Sequence, residues 1–433
     1  MILVGKKIGI NGEGICYDHK IPVFVDGLLP NEKAEIAIDI DYGRYKVGHI
    51  VKLLSYSPNR IKPICPHYFK CGGCSLMHVK YQEQLNIKKS LAVEALNKYA
   101  SYDASKWPIV GSIKELGYRN ATKLQVKTIK NQTIAGFYQK GTNRIFKLDK
   151  CLIHNEELEK KRKIIIELVN KYHLKDYKDK NGLRGIFLRV LDGSEVCFIG
   201  SIDKLPANMV KELIAEGIEV IDLSVIKKKN SIEFFGDNLI HLNKPYLDIN
   251  FEGIDSILST KSFFQLNELQ AARLYNIAIS FLDDEEIDLA VEAYSGVGLI
   301  SMLMKDKAKR LIGIEIVEEA VKDARRIAEN NNISNIQYLC NDAAKALKDI
   351  ASKEKIDLLI VDPPRSGLDD NMIEIIKKSK IDKILYISCN PVTLAKNIKN
   401  LAYEVEKMTF VDMFPQTAHV ETVCLMSGKV EWR

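Results

Sequence analysis

Ile287-Asp-Leu-Ala-Val-Glu-Ala-Tyr-Ser-Gly-Val-Gly298 is the stretch on which the fold turns. Its apolar start reads as a buried strand over Ile287–Tyr294, its two glycines as a tight turn, and the following Leu299–Lys305 as a helix. The alternation then repeats: Arg310–Glu315 before Glu318–Asn331, Ile336–Cys340 before Ala343–Ile350, Ile356–Val361 before a helix near Asn371–Ser379, and finally Lys383–Ser388. Consecutive βα units of this length predict an α/β fold with a parallel, doubly wound, Rossmann-like sheet and helices on both faces. Tyr403–Phe414 and His419–Met426 have no helical stretch between them, so an antiparallel pair is expected at the sheet edge.

Upstream the pattern is different. Over the first 55 or so residues, short alternating stretches are broken by Gly and Pro, as in Gly5–Gly14 and Ile21–Gly27, and predict a small antiparallel β-barrel. Ser57–Pro63 reads as a linker, and beyond it come a cysteine-rich segment, a helix over about 80–100, and mixed strands and helices to about 250. The expected organisation is therefore a barrel over 1–57, a central α+β domain over 58–255 and the Rossmann-like domain over 256–433.

The 433 residues, 46% hydrophobic and 28% charged, have the composition of a folded globular protein rather than a disordered or fibrous one. No apolar run approaches the roughly 20 residues of a membrane span, and the start lacks a signal-peptide pattern, so a cytoplasmic protein without a membrane partner is expected. The net charge of +6 is unevenly spread. Residues 65–150 carry 15 Lys and Arg against 5 Asp and Glu, whereas the chain beyond them carries 39 against 45, which points to a polyanion partner for the middle.

In doubly wound sheets ligands bind at the carboxyl ends of the strands. The first strand ends in Tyr294-Ser-Gly296-Val-Gly298, the second in Glu315, the third is followed by Asp342 and the fourth by Asp362. Ser301 stands where a dinucleotide fingerprint wants a third glycine, and no P-loop lysine follows. Carboxylates facing one glycine turn without a phosphate cradle suit a nucleoside such as S-adenosylmethionine; each acid taken singly also suits a helix N-cap, Asp342 above all. Pro363 and Pro364 stiffen the chain after a buried strand and suit a flat wall for a planar base. Cys389, in Tyr386-Ile-Ser-Cys-Asn-Pro391, lies at a strand end before a helix, where a lowered thiol pKa and a nucleophile are expected. Glu421 is positioned to act as a general base if it reaches the same cleft.

There are nine cysteines, and an odd number in such a chain argues for reduced thiols. Cys65-x5-Cys71-x2-Cys74, with Cys151 far downstream, fits four thiolate ligands for either zinc or an iron-sulfur cluster. Paired short spacings are usual for zinc, so the long first gap and distant fourth partner lean toward a cluster. His67 and His78 are expected to be structural.

These motifs, with Ser262-Phe-Phe-Gln-Leu-Asn267, Asp362-Pro-Pro-Arg-Ser-Gly-Leu368 and Phe414-Pro-Gln-Thr-Ala-His-Val-Glu421, resemble the RNA uracil-C5 methyltransferases that form 5-methyluridine, specifically the iron-sulfur-containing 23S rRNA branch with an N-terminal TRAM domain. The resemblance implies a 4Fe-4S cluster on Cys65, Cys71, Cys74 and Cys151. It implies S-adenosylmethionine contacts from Gln265, Tyr294, Glu315 and Asp362, to which the strand-end reading adds Gly296, Gly298 and Asp342. It assigns Cys389 as nucleophile toward uracil carbon 6 and Glu421 as the base that removes the carbon-5 proton. The expected partner is RNA, 23S rRNA ahead of tRNA, with no DNA and with the chain as a monomer. Ser295, where relatives often carry Cys, and Ala121, where a Lys is frequent, depart from the pattern. Two other readings remain at this stage: an amino-methyltransferase using Asp-Pro-Pro, and an inactive iron-sulfur RNA-binding protein.

Overall fold

The computed structural model describes residues 1–177, 182–227, 233–236, 238–283 and 285–428. The N-terminal strands are β1 (Ile2–Val4), β2 (Lys7–Ile8), β3 (Gly14–Asp18), β4 (Ile21–Val25), β5 (Lys33–Asp41) and β6 (Lys46–Leu53). β1 pairs with β5 and β2 with β3, so one bent segment joins the two ends of the sheet and closes a barrel. Gly5 makes the bend, where a Cβ would lie 2.2 Å from the Leu29 carbonyl oxygen. Cys16, Val23, Val25, Leu28, Ala34 and Ile36 fill the interior. The barrel is not wholly antiparallel as expected, because β4 and β6 are direct neighbours that run parallel, with the long β5 on the other side of β6. The expected linker is fastened down: Arg60 forks onto the fully buried Glu32 carboxylate, with Nη2 2.6 Å from Oε2, and onto the Gly27 carbonyl.

Next come α1 (Tyr81–Ala100), β7 (Ile109–Val110), β8 (Ala121–Ile129), β9 (Gln132–Tyr138), β10 (Ile145–Lys147), α2 (Glu156–Lys171), β11 (Leu183–Val190), β12 (Ser194–Gly200), α3 (Ala207–Ala215), β13 (Val220–Val225) and β14 (Asn238–His241). Seven of these strands form a central sheet in the order β10-β9-β8-β11-β12-β13-β14. Leu158, Ile165 and Leu168 of α2 and Met209 and Leu213 of α3 pack under it against Leu124, Val126 and Phe198. A hairpin, β15 (Leu247–Phe251) and β16 (Ile254–Leu258), then leads into the last part of the chain.

That part comprises α4 (Glu268–Ser280), β17 (Ile287–Ala293), α5 (Leu299–Leu303), β18 (Ala308–Glu315), α6 (Glu318–Asn330), β19 (Ile336–Cys340), α7 (Ala343–Ala351), β20 (Leu358–Val361), α8 (Asp370–Lys378), β21 (Lys383–Ser388), α9 (Pro391–Leu401), β22 (Glu404–Val411) and β23 (Glu421–Ser427). The sheet order is β19-β18-β17-β20-β21-β23-β22-β7, parallel from β19 to β21 and covered on both faces. Strand order reverses between β17 and β20, which places a ligand crevice at their carboxyl ends. The antiparallel pair β22–β23 is present but does not form the edge: β7 adds in parallel to β22. α1 also packs on α9, through Ala92 and Leu96 in the same core as Leu394 and Ile398. Residues 81–110, upstream of the central sheet in sequence, thus belong by packing to the C-terminal one. Among the described residues no helix is long and apolar enough to cross a membrane.

Candidate active site at the strand ends

The glycine turn after β17 is a strained cradle. Tyr294 has φ 66°, unusual for a side chain with Cβ, and Gly296 and Gly298 follow at 54° and 78°. Gly298 is required by space, since a Cβ there would meet the Tyr338 hydroxyl at 2.3 Å, whereas nothing lies within 4 Å of a Cβ at Gly296. Glu315 at the end of β18 spans the turn. Its Oε2 accepts from the Gly296 amide at 3.0 Å and its Oε1 from the Ile316 and Val317 amides at 2.9 Å. Next to it Ile316 is 68% exposed, an apolar surface between Glu315 and Asn341–Asp342 of the kind a planar base covers. Asp342 is the N-cap of α7, its Oδ1 accepting from the Lys345 amide at 2.9 Å. The open space over Gly296, the exposed apolar Ile316 and the flanking acids fit the nucleoside part of S-adenosylmethionine.

The second group lies across β20, β21 and β23. Burial pushes the Asp362 carboxyl up to about 7. Burial, with the nearby Asp362 charge, pushes Glu421 up to about 8, and Arg365 opposes this. The Cys389 thiol is raised to about 11, by burial first and then by Glu421 and Asp362, against a smaller effect of Arg365. Asn390 caps α9, so the thiol stands beside a helix N-terminus, and its direction of shift is nevertheless upward, set by burial and the two carboxylates. Strand register brings the three positions to one end of the sheet: Val361 pairs with Tyr386 and Ser388 with Thr422, so Asp362, Cys389 and Glu421 each adjoin a paired position.

Three further members went unassigned in the sequence. Glu292, buried in β17, is raised to about 8, chiefly by burial, and accepts from the Ser301 amide at 3.1 Å. Tyr275 of α4 has its hydroxyl pKa raised by burial and then by Asp362, and is hydrogen-bonded by the Gln265 side chain. Gln265 is itself held by Asn120, whose Nδ2 donates to its carbonyl at 3.0 Å. Arg365 supplies the compensating charge, and its carbonyl accepts from Asn390 Nδ2 at 3.1 Å. A position three after Asp362 in a proline-rich turn was the available signal for Arg365; for Tyr275 the sequence offered none.

Glu421 is delivered by the segment 412–420, which is tied on every side. Asp412 pairs with Lys88 of α1, both fully buried, and accepts from the Tyr81 hydroxyl at 3.0 Å. Lys88 also donates to the Phe414 carbonyl at 3.0 Å, Asn267 to Met413 at 2.9 Å and Tyr118 to Pro415 at 3.0 Å. Gln416, at φ 70°, accepts through its carbonyl from the Ser75 and Leu76 amides, both at 2.9 Å, and exchanges hydrogen bonds with Gln84.

One residue before Ser75 stands Cys74. Cys65, Cys71, Cys74 and Cys151 are free thiols, all partly buried, and Cys65, Cys74 and Cys151 pack around Tyr68, Met77, Tyr118 and Ile153. The Cys74 thiol is raised by burial and then, to a smaller extent, by Cys151, Cys71 and Cys65. Among the described residues no group of three or more His, Cys, Asp or Glu side chains is set to hold a metal ion. The expected four-cysteine metal or cluster site is therefore not formed as a ligand set among the described residues; Cys71 Sγ instead accepts from the Gly73 amide at 3.4 Å. His78 is a buried structural residue, its Nδ1 2.6 Å from the Tyr68 hydroxyl, and His67 stacks on Phe146.

A family model described as tRNA (Uracil-5-)-methyltransferase matches residues 80–429. An uncharacterized RNA methyltransferase of Enterococcus faecalis is 34% identical over 443 residues, spanning 98% of this chain and 96% of the relative. Another, of Clostridium tetani, is 32% identical over 434 residues, spanning 97% and 94%. Among solved structures, the Pyrococcus abyssi tRNA (uracil-54, C5)-methyltransferase in complex with S-adenosyl-L-homocysteine superposes with a TM-score of 0.80 at 26% identity, over 98% of this chain and 99% of that one.

Proposed function

The chain belongs to the tRNA (uracil-5-)-methyltransferase family, an S-adenosylmethionine-dependent RNA methyltransferase by that membership, and from this premise we propose that it methylates carbon 5 of a specific uridine in 23S rRNA. The reading is supported by strand register, which sets Asp362, Cys389 and Glu421 at one end of β20, β21 and β23, next to the turn that follows β17. Carbon 5 of uracil is a weak nucleophile. Cys389 gives up its thiol proton to solvent and adds as the thiolate to carbon 6, which places the electron pair on carbon 5 and the neighbouring carbon-4 carbonyl. S-adenosylmethionine, when bound, supplies the electrophilic methyl group that carbon 5 takes. Glu421 then removes the carbon-5 proton, the carbon 6–sulfur bond breaks and Cys389 is released.

Gln265, Tyr294, Gly296, Gly298, Glu315, Asp342 and Asp362 are the cofactor contacts in this reading, and Pro363 and Pro364 form the wall against which the flipped uridine rests. Cys65, Cys71, Cys74 and Cys151 are proposed to carry a 4Fe-4S cluster. A brown protein with about four irons per chain after anaerobic purification is expected, and a colourless zinc protein overturns this. The 23S assignment rests on the resemblance to the cluster-containing branch. Transfer RNA is the second substrate reading, favoured by the tRNA enzyme whose structure superposes over the whole chain. Transfer of labelled methyl to total RNA from a strain lacking the gene decides between them: 5-methyluridine in large-subunit rRNA supports the first, in tRNA the second, and methyl on a base nitrogen overturns the covalent mechanism.

A further inference from the structure

Only part of the central sheet is covered on both faces. Register places Gln125, Lys127 and Ile129 of β8 beside Gly136, Ile134 and Gln132 of β9, and Tyr138 beside Ile145 of β10, all turned away from α2. Over β11 this face is packed by Phe234 and Phe235 against Phe187. Over β8–β10 it is open, with Tyr138 45% and Ile129 46% exposed. At its rim lies a cleft of about 500 Å³ ringed by Lys70, Lys130, Arg144 and Lys147 above a floor that includes Ile134 and Ile145, with no carboxylate in its lining. None of the four cations forms an ion pair among the described residues; Lys70 lies over the Phe146 ring instead.

Four like charges around one cleft repel one another, an arrangement that an anion relieves. Phosphate alone would leave the apolar floor and the exposed Tyr138 ring without a role, whereas a nucleotide strand uses all three. Its phosphates meet the lysines and the arginine, and its bases lie on the ring and the floor. We infer that this cleft and the open half of the sheet hold a single-stranded segment of the substrate RNA outside the target uridine, an inference that rests on the RNA-methylation reading above. Lys70 comes from the loop immediately before Cys71, and Cys71 bridges to Gln139 at the end of β9, so the cysteine loop forms one wall of the cleft.

The test is binding of a fluorescein-labelled oligouridylate of about 20 nucleotides to the full chain as a function of salt, by anisotropy. For the combined Lys130→Ala, Arg144→Ala and Lys147→Ala variant, affinity at about 0.1 M salt is expected to fall at least tenfold, and the slope of log K against log salt to become shallower by about 2. Tyr138→Ala weakens binding with the slope unchanged, and Lys130→Arg with Lys147→Arg retains it. S-adenosylmethionine binding by calorimetry stays at the unmodified level in all of them, which separates the effect from misfolding. A triple variant with unmodified affinity and slope overturns the inference, as does an unmodified chain that fails to bind the oligonucleotide. Failure of the parent reading is a different result: binding as described, but no 5-methyluridine formed in total RNA.

Discussion

Cys389 stands one residue before the N-cap of α9, where the helix end favours a thiolate, and yet its pKa is raised to about 11 by burial and by Glu421 and Asp362. The residue's place at the strand end was legible; its ionisation was not, because it depends on groups 27 and 32 positions away in sequence. Cys389→Ala is expected to abolish methyl transfer, while Glu421→Gln leaves the elimination stalled and accumulates a protein–RNA adduct stable on a denaturing gel. Loss of turnover in Glu421→Gln without any adduct excludes the base role. Glu421 must be ionised to take the carbon-5 proton, so the rate of elimination from the preformed adduct, in which Cys389 no longer titrates, should rise with pH around the value near 8 to which burial and Asp362 push it. Replacing Asp362 by Asn removes a like charge, and the rising limb, measured at saturating S-adenosylmethionine, should move to lower pH. Glu292 bears on stability instead. With its folded pKa raised to about 8, the native state holds a proton that the unfolded chain loses near its ordinary value of about 4.3. Stability therefore falls as pH rises across that window, and Glu292→Gln should flatten the fall, stabilising the protein at pH 8 by about 4 kcal/mol in denaturant titrations.

At the level of elements, strands with apolar runs and helices with clear periodicity were read to within a few residues: Arg310–Glu315 became Ala308–Glu315, and Ile336–Cys340 and Lys383–Ser388 were unchanged. β7 was invisible, since two residues carry no period and its pairing with Phe410 and Val411 is set by a partner 300 positions later. The parallel β4–β6 contact was missed for a similar reason: alternation reports a strand but not its neighbour's direction. The segment 412–420 has no regular structure, and its course is imposed by Ser75, Gln84, Lys88, Tyr118 and Asn267. Lys88→Met leaves the Asp412 carboxylate buried and unpaired, and should cost about 3–5 kcal/mol by equilibrium unfolding. Adding Asp412→Leu should recover most of that loss; a double variant no more stable than the single one would show that the pair contributes through something other than charge compensation.

For the whole molecule, the motifs suggest a three-part chain; among the described residues the strands form a six-stranded, a seven-stranded and an eight-stranded sheet and a two-stranded hairpin. What the sequence could not convey is their interleaving. α1 and β7 precede the central sheet in the chain but are buried against α9 and β22, because the apolar face of α1 finds its complement there and not in the sheet that follows. That placement has a consequence for how the protein is made. During synthesis α1 leaves the ribosome with Ala92, Leu96 and Lys88 unmatched, and their partners in residues 391–412 arrive some 300 positions later, roughly 15–60 s at about 5–20 residues per second. Through that interval the apolar face of α1 and the Lys88 ammonium lack the partners that bury them, so a fragment ending before residue 391 is expected to expose that face.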